Sequence, residues 1–414
     1  MTLLCRRRTA CRLCDSDRLS LVLSLTPTPP ANAFVAGQAL GDAQQTFPLD
    51  VFFCEACAHV QLLDVVDPGV LFSDYVYVSG TSPVFVKHFE EYARTILDRF
   101  KPAPGSLVLD IGSNDGTLLE QFKKAGMNVL GIDPARGIAR AATDRGIETL
   151  ADFFSLPLAE KIREERGSAA VITANNVFAH ADDLAGITNG IRRLLAPEGI
   201  FVFEVSYLAD VYRDTLFDTI YHEHLAYHTV KPLTGFFARH GLELIAAERV
   251  SSHGGSLRGI VQHADGPHAV TESVTARIAE EERLGLDKSA TLKQFAAKID
   301  GIKQDLTALL RDIKARGETI AGFGAPAKAT TLMYHFGLGP DVIDFIVDDS
   351  PLKQGLFTPG HHIPVLPSAA LYERKPDYAL ILAWNFAEPI MNNHRKFLQG
   401  GGHFIVPLPR ARIY

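Results

Sequence analysis

Several things are scarce in this chain, and each scarcity narrows what it can be. None of its 414 residues fall in an apolar run of the roughly 18–20 that a membrane-spanning helix requires, so no span and no membrane partner are expected. The basic residues Arg6-Arg-Arg8 near its start are not followed by the apolar stretch of a secretory signal, which makes the cytoplasm the expected compartment. Positive charge is not in excess: 41 Lys and Arg stand against 48 Asp and Glu, a net charge of −7, and nothing recommends a nucleic-acid surface. Cysteine is rare at five residues, far below a disulfide scaffold. What remains is an ordinary globular composition, 47% hydrophobic and 21% charged, over a length that exceeds what one core usually supports. Two to four domains are expected.

Four of the five cysteines come in pairs. Cys11-Arg-Leu-Cys14 and Cys54-Glu-Ala-Cys57, 39 residues apart, offer four thiolates at the spacing of a tetrahedral zinc site. Two disulfides are the competing reading, which a reducing compartment disfavours. Four thiolates leave no open coordination position, so Cys11, Cys14, Cys54 and Cys57 are expected to hold a structural Zn2+. Cys5 is left over, and His59 is not needed as a ligand.

From residue 107 the pattern changes to alternating strands and helices. Leu107-Val-Leu-Asp-Ile-Gly-Ser-Asn-Asp-Gly116 reads as a buried strand, a glycine-bearing turn and a helix start, and Val129-Leu-Gly-Ile-Asp133 as a second strand ending on an acid. A dinucleotide fold would carry G-x-G-x-x-G for a pyrophosphate. Here the turn is Asp110-x-Gly112-x-x-x-Gly116 with Asp115 inside it, and carboxylates suit a ligand bearing an ammonium and a sulfonium. S-adenosylmethionine (SAM) is such a ligand, and Asp133 is placed for its ribose hydroxyls. The expected cofactor set is Asp110, Gly112, Asn114, Gly116 and Asp133, with Asp152 and Phe153 at the base and Asn175 at the end of the strand Val171–Asn175. Phe153 and Phe154 are equally open to a core role. Strands at Ile200–Glu204, Leu242–Val250 and Leu257–His263 complete the sheet.

The densest chemistry lies in Phe217-Asp-Thr-Ile-Tyr-His-Glu-His224, where within Tyr221 to His224 two imidazoles, a carboxylate and a phenol are crowded together. Such groups are poor core formers unless they pair, and histidine with an orienting carboxylate is the commonest general base. The spacing of His222 and His224 differs from the H-E-x-x-H of zinc hydrolases. A polar patch between domains is the bland alternative.

Residues 271–316 are rich in Ala, Glu, Lys and Leu at helical spacing and read as one or two connecting helices. After them Gly322-x-Gly324-x-x-Ala327 is formally a dinucleotide fingerprint, with Asp348 and Asp349 about 20 residues on as a ribose acid would be. Strands are expected at Val342–Asp348, Tyr378–Ala383 and His403–Val406. Lys328 suits a phosphate. This keeps open an NAD-dependent oxidoreductase, and a non-enzymatic nucleotide-sugar sensor is a third reading.

Taken in order, these motifs resemble one family, the SAM-dependent C-methyltransferases of nucleotide-linked 4-keto deoxysugars, including the tetronitrose type. The resemblance rests on the two C-x2-C pairs, Tyr75-Val-Tyr-Val-Ser-Gly-Thr-Ser82, Asp110–Gly116, Ala174-Asn-Asn-Val-Phe-Ala-His180, Phe217–His224, His253-Gly-Gly-Ser-Leu-Arg258 and Gly324-Ala-Pro-Ala-Lys328. Leu225-Ala-Tyr-His228 departs from the more aromatic ending common in the group. The resemblance implies an α/β fold: a class I methyltransferase Rossmann-like domain (81–265) between an N-terminal zinc-binding domain (1–80) and, after a helical connector (266–317), a second Rossmann-like domain (318–414) that closes over a dTDP-linked sugar. It implies that Tyr75, His180, Tyr221, Glu223 and His224 surround the sugar. His224 is then the base that removes the C-3 proton, oriented by Glu223, and Tyr221, Tyr75 or His180 meets the C-4 oxygen. Tyr77, Ser82, His222, Ser256, Arg258 and Lys328 are expected along the rest of the substrate, and a monomer is the expected state.

Overall fold

The computed structural model of the chain describes residues 4–72, 83–251 and 255–414. Tyr75, Tyr77, Ser82 and His253 lie outside the described residues. The alternation that begins at Leu107 folds into a seven-stranded sheet in the order Thr149–Leu150, Asn128–Ile132, Leu107–Ile111, Ala169–Asn175, Leu195–Ser206, Ser256–His263, Leu242–Val250. The first five strands are parallel, and Ser256–His263 runs antiparallel to both of its neighbours. In chain order that is 3-2-1-4-5-7-6, the class I methyltransferase sheet. All five residues of Leu107–Ile111 are buried, as a central parallel strand covered on both faces must be.

The turn after this strand depends on glycine for a physical reason. Gly112 sits at φ +68°, and a Cβ there would stand 2.2 Å from Val177 Cγ2. Gly116, at φ +79°, is packed against Ile147 in the same way. The chain thereby turns off the strand and enters the helix Thr117–Lys124 without lifting the turn away from the sheet.

The N-terminal unit is an antiparallel meander of Leu19–Thr28, Phe47–Cys54 and Val60–Leu62. Its fourth strand is not local: Ala226–Tyr227 pairs with Val60–Leu62, Ala226 opposite Gln61 and Tyr227 opposite Val60. None of the five cysteines is in a disulfide. The sulfurs of Cys11, Cys14, Cys54 and Cys57 all lie within 4.8 Å of one another, with Cys11–Cys57 at 3.7 Å and Cys14–Cys54 at 3.5 Å. A zinc–sulfur distance of about 2.3 Å makes the edge of a tetrahedron about 3.8 Å, so four thiolates arranged this way fit Zn2+. His59 is held elsewhere, its ring stacked on His228 at 5.4 Å.

The connector is two helices, Glu272–Arg283 and Ser289–Ala315, separated around Gly285 at φ +71°. The longer one buries Leu292, Phe295, Ile299, Ile302, Leu306, Leu310 and Ile313, a stripe of threes and fours that packs on Leu19–Thr28. From the shorter one Glu281 accepts hydrogen bonds from Val230 N (2.7 Å), Lys231 N (3.2 Å) and the Tyr207 hydroxyl (2.9 Å). It caps the helix Val230–Arg239, where an acid meets the positive end of the helix dipole.

The last unit is a six-stranded sheet in the order Val365–Pro367, Ile346–Asp348, Ile320–Phe323, Tyr378–Ile381, His403–Val406, Arg412–Ile413, parallel except at the final pair. The strand expected at Val342–Asp348 begins only at Ile346, because Gly339 starts a turn that carries Val342 and Ile343. Among the described residues no helix is long and apolar enough to cross a membrane.

If the four thiolates hold the N-terminal unit through one metal, Cys14→Ser is expected to bind less than one zinc per chain and to melt several degrees lower, as thermal unfolding and metal analysis would show. A variant with unchanged melting and no metal would refute a structural role.

Candidate active site

The cleft at the carboxyl ends of Leu107–Ile111, Asn128–Ile132 and Ala169–Asn175 is built around two acids. Asp110 is buried, accepts the Thr173 hydroxyl at 2.6 Å, and has its carboxyl pushed up to about 7, first by burial and further by the charge of Asp133, against the Thr173 bond. Asp133 accepts Asn114 N–H on one oxygen (2.8 Å) and Ala135 N–H on the other (2.9 Å), which ties the first turn to the second. Burial raises its carboxyl too, while those two backbone donors oppose the rise. Each oxygen keeps a further lone pair for a ligand hydroxyl.

Asp115, which the sequence places in the same turn, is a correction. Its carboxylate accepts from Thr117 N (3.3 Å) and Thr117 Oγ1 (2.6 Å) and pairs with Arg145 at 3.5 Å, so its charge is spent inside the turn. Of the two adjacent rings, Phe154 is 7% exposed and belongs to the core, whereas Phe153 is 51% exposed at the end of Thr149–Leu150, beside Asp152. Asn175 ends its strand with both side-chain polar atoms buried and without a partner among the described residues. An orphaned amide at this rim is a site that a polar ligand completes. The residues present therefore fit SAM.

The segment Phe217–His224 forms one 3-10 turn, Phe217–Thr219, and then a bend. His224 Nδ1 donates to the Thr219 carbonyl at 2.7 Å. A carbonyl only accepts, so the Nδ1 proton is fixed there and Nε2 is left as the basic nitrogen. Its ring lies 4.1 Å from that of Tyr221 and 4.8 Å from that of His180, centroid to centroid. Three expected site residues thus come together.

The neighbours in this segment go elsewhere, and three expectations are corrected. Glu223 does not orient His224; its Oε1 accepts Asn32 Nδ2 at 2.8 Å, and burial pushes its carboxyl up to about 7 against that bond. His222 is buried, donates to the Phe47 carbonyl at 3.2 Å and packs edge-on against the Phe47 ring, an anchor on the N-terminal unit rather than a substrate contact. Lys328 is engaged by protein: its ammonium lies 3.2 Å from Asp218 Oδ2 and 4.1 Å from the Trp384 ring centroid. Trp384 Nε1 donates to the same oxygen at 2.6 Å.

Arg258 is likewise internal. It pairs with Glu204 and lies over the Tyr92 ring at 4.2 Å, and His88 meets the second Glu204 oxygen at 2.9 Å. Burial raises the Glu204 carboxyl, but the hydrogen bond to His88 and the charge of Arg258 outweigh it and hold the carboxyl below its ordinary range. Ser256 is buried at the start of its strand, opposite Ser206 and Val250. Sequence reasoning missed Glu204, His88, Thr219, Asn32, Asp218 and Trp384. Glu204 carried a signal as a single acid ending the apolar run Ile200-Phe-Val-Phe, and Asp218 and Thr219 lie inside the motif Phe217–His224, whereas His88, Asn32 and Trp384 carried none.

Comparison with known proteins follows this geometry. Residues 85–247 match the family model described as a methyltransferase domain, 251–409 that of a C-methyltransferase C-terminal domain, and 11–72 that of a zinc binding domain. The C-methyltransferase NovU of Streptomyces niveus is 37% identical over 408 residues, covering 97% of this chain and 96% of that protein. A ubiquinone biosynthesis O-methyltransferase of Ralstonia nicotianae is 31% identical over 104 residues, only 25% of this chain and 44% of that protein. Among solved structures, magnesium protoporphyrin IX methyltransferase from Synechocystis with bound SAM aligns at 14% identity and a TM-score of 0.33, over 45% of this chain and 85% of that one. With a relative of that identity spanning nearly its full length, the chain belongs to the SAM-dependent C-methyltransferases, zinc-bearing enzymes with a second Rossmann-like lobe.

Proposed function

We propose that the enzyme methylates C-3 of a dTDP-linked 4-keto deoxysugar through an enolate, with His224 as base. The observation that carries this is the Nδ1 bond of His224 to Thr219, which makes Nε2 the basic nitrogen of the neutral ring, with the rings of His180 and Tyr221 beside it. Methylating carbon requires a carbanion equivalent, and a ketone next to the reacting carbon provides one by placing the charge on oxygen. A cluster of one basic nitrogen with phenol and imidazole donors matches that need. Nε2 takes the C-3 proton. Tyr221, His180 and Tyr75 donate hydrogen bonds to the oxygen that becomes anionic, an interaction worth about 3–4 kcal/mol when preorganised. Bound SAM supplies the electrophilic methyl group.

In the cofactor cleft Asp110 answers the ammonium, Asp133 the ribose, Asp152 and Phe153 the base, and Asn175, Asn114 and the open turn Gly112–Gly116 the rest. Glu223 lends its carboxyl to the substrate. Tyr77, Ser82 and Ser256 line its approach. Division of the chain at 1–80, 81–265, 266–317 and 318–414 assigns zinc, cofactor, connection and nucleotide to successive parts, with the reaction between the second and the last. The oxidoreductase reading of Gly322 and Gly324 gives way because 251–409 matches a C-methyltransferase domain. The turn itself is tied internally, Ala325 N–H to Asp348 at 2.6 Å and Lys353 to the Ala325 carbonyl at 2.6 Å.

Two outcomes test this. His224→Asn should lose about 10²–10⁴-fold in turnover and in C-3 hydrogen exchange while binding SAM as before. Full turnover by that variant with a 4-keto sugar nucleotide would remove His224 from the mechanism. The second concerns pH. Asp110, raised to about 7, is neutral below that value, and a cationic ligand selects its ionised form. SAM affinity measured by calorimetry should therefore weaken as pH falls from 7 to 6, approaching tenfold per unit, and Asp110→Asn should flatten the dependence. An equally steep dependence in the variant would assign it to another group.

A further inference from the structure

A loop of the N-terminal unit reaches the catalytic segment. Thr26-Pro-Thr-Pro-Pro-Ala-Asn32 leaves the strand Leu19–Thr28 with three prolines, whose fixed φ limits how far the loop can bend. The C-terminal lobe pins it on both sides of Asn32. Thr26 N–H donates to His335 Nδ1 at 3.3 Å, Thr330 Oγ1 donates to the Ala31 carbonyl at 3.0 Å, and Val35 exchanges backbone bonds with Phe357 at 2.9 and 2.8 Å. Between those anchors Asn32 Nδ2 donates to Glu223 Oε1 at 2.8 Å. Among the described residues that is the one hydrogen bond to this buried carboxyl, and Oε2 has none.

We infer that Asn32 is a positioning residue for methyl transfer: by clamping Oε1 of Glu223 it turns Oε2 toward the keto sugar. In a protonated carboxyl the carbonyl oxygen is a stronger acceptor than the hydroxyl oxygen. The Asn32 bond to Oε1 therefore favours the form of protonated Glu223 that carries its proton on Oε2, where it can be donated to the substrate. Burial, which raises this carboxyl to about 7, makes that protonated form accessible near neutrality. The zinc-bearing unit thus contributes a side chain to the site, one residue removed from the chemistry. This inference rests on the proposal that the cleft takes a keto sugar next to Glu223.

A double-mutant cycle with Asn32→Ala, Glu223→Gln and the pair tests it, using a dTDP-linked 4-keto-6-deoxyhexose. Three quantities are read: kcat, exchange of the C-3 proton with deuterated water in the absence of SAM, and zinc content with SAM affinity. One hydrogen bond of ordinary strength corresponds to about a tenfold factor, so Asn32→Ala should lower kcat about tenfold. KM and SAM affinity should stay within about twofold, and the chain should keep its zinc. In the Glu223→Gln background the same change should have no further effect. Multiplied losses in the pair, or an unimpaired Asn32→Ala beside an impaired Glu223→Gln, would overturn the assignment. A fully active Glu223→Gln would instead sink the reading of Glu223 itself. Should Asn32→Ala lose zinc or SAM binding, Asn32→Leu, of the same shape and without the donor, replaces it in the cycle.

Discussion

One short stretch of backbone, Phe217–Ala226, carries a constraint on which the rest of the molecule depends: almost every residue in it is held by a different part of the chain. Phe217 stacks on Phe336 at 5.2 Å, and Asp218 accepts Trp384 and faces Lys328, all from the C-terminal lobe. The Ile220 carbonyl accepts Thr331 Oγ1 at 2.8 Å from the same lobe. His222 and Glu223 reach Phe47 and Asn32 of the N-terminal unit. The Leu225 carbonyl accepts Leu62 N–H at 2.9 Å, and Leu225 and Ala226 N–H both donate to the Ala179 carbonyl in the turn that follows the strand Ala169–Asn175. Thr219 and His224 are thereby held at the junction of three units, and the bond between them sets the imidazole.

Such an arrangement has an energetic logic. A polar bend with five titratable side chains cannot be buried unless each group finds a partner, and no single unit offers enough partners. Distributing them among three units satisfies the bend and couples the units at once. Loss of one anchor leaves an unpaired buried group, which costs more than the bond itself was worth. Packing of the zinc-bearing unit is part of this coupling, since Ala226–Tyr227 supplies the fourth strand of its sheet. A bend that also completes a neighbour's sheet has little freedom to shift.

The cofactor cleft is more local, and for that reason it was more legible. Asp110, Gly112, Gly116 and Asp133 fall within a single βαβ unit, where strand period and turn chemistry place the side chains before any long-range contact forms. The alternation of strands and helices with its closing strand pair, and the four-cysteine cluster, were likewise readable, the one from hydrophobic pattern and the other from ligand spacing. Even here sequence overstated the charge. Asp115 was counted toward the ligand, yet Arg145, 30 residues along, takes its carboxylate. Phe153 and Phe154 could not be separated until the core showed which ring it had kept.

Sequence by itself established what depends on near neighbours: the strand-turn-helix of the cofactor cleft, the paired thiolates, and the concentration of His, Glu and Tyr in one stretch. Tertiary structure decided where each of those groups is held. His222, Glu223 and His224 are consecutive, yet one binds the Phe47 carbonyl, one binds Asn32, and one binds its own Thr219. Successive side chains of a bend point in different directions, and what each meets is set by units 170 or more residues away in the chain for the first two, about which local pattern carries no information.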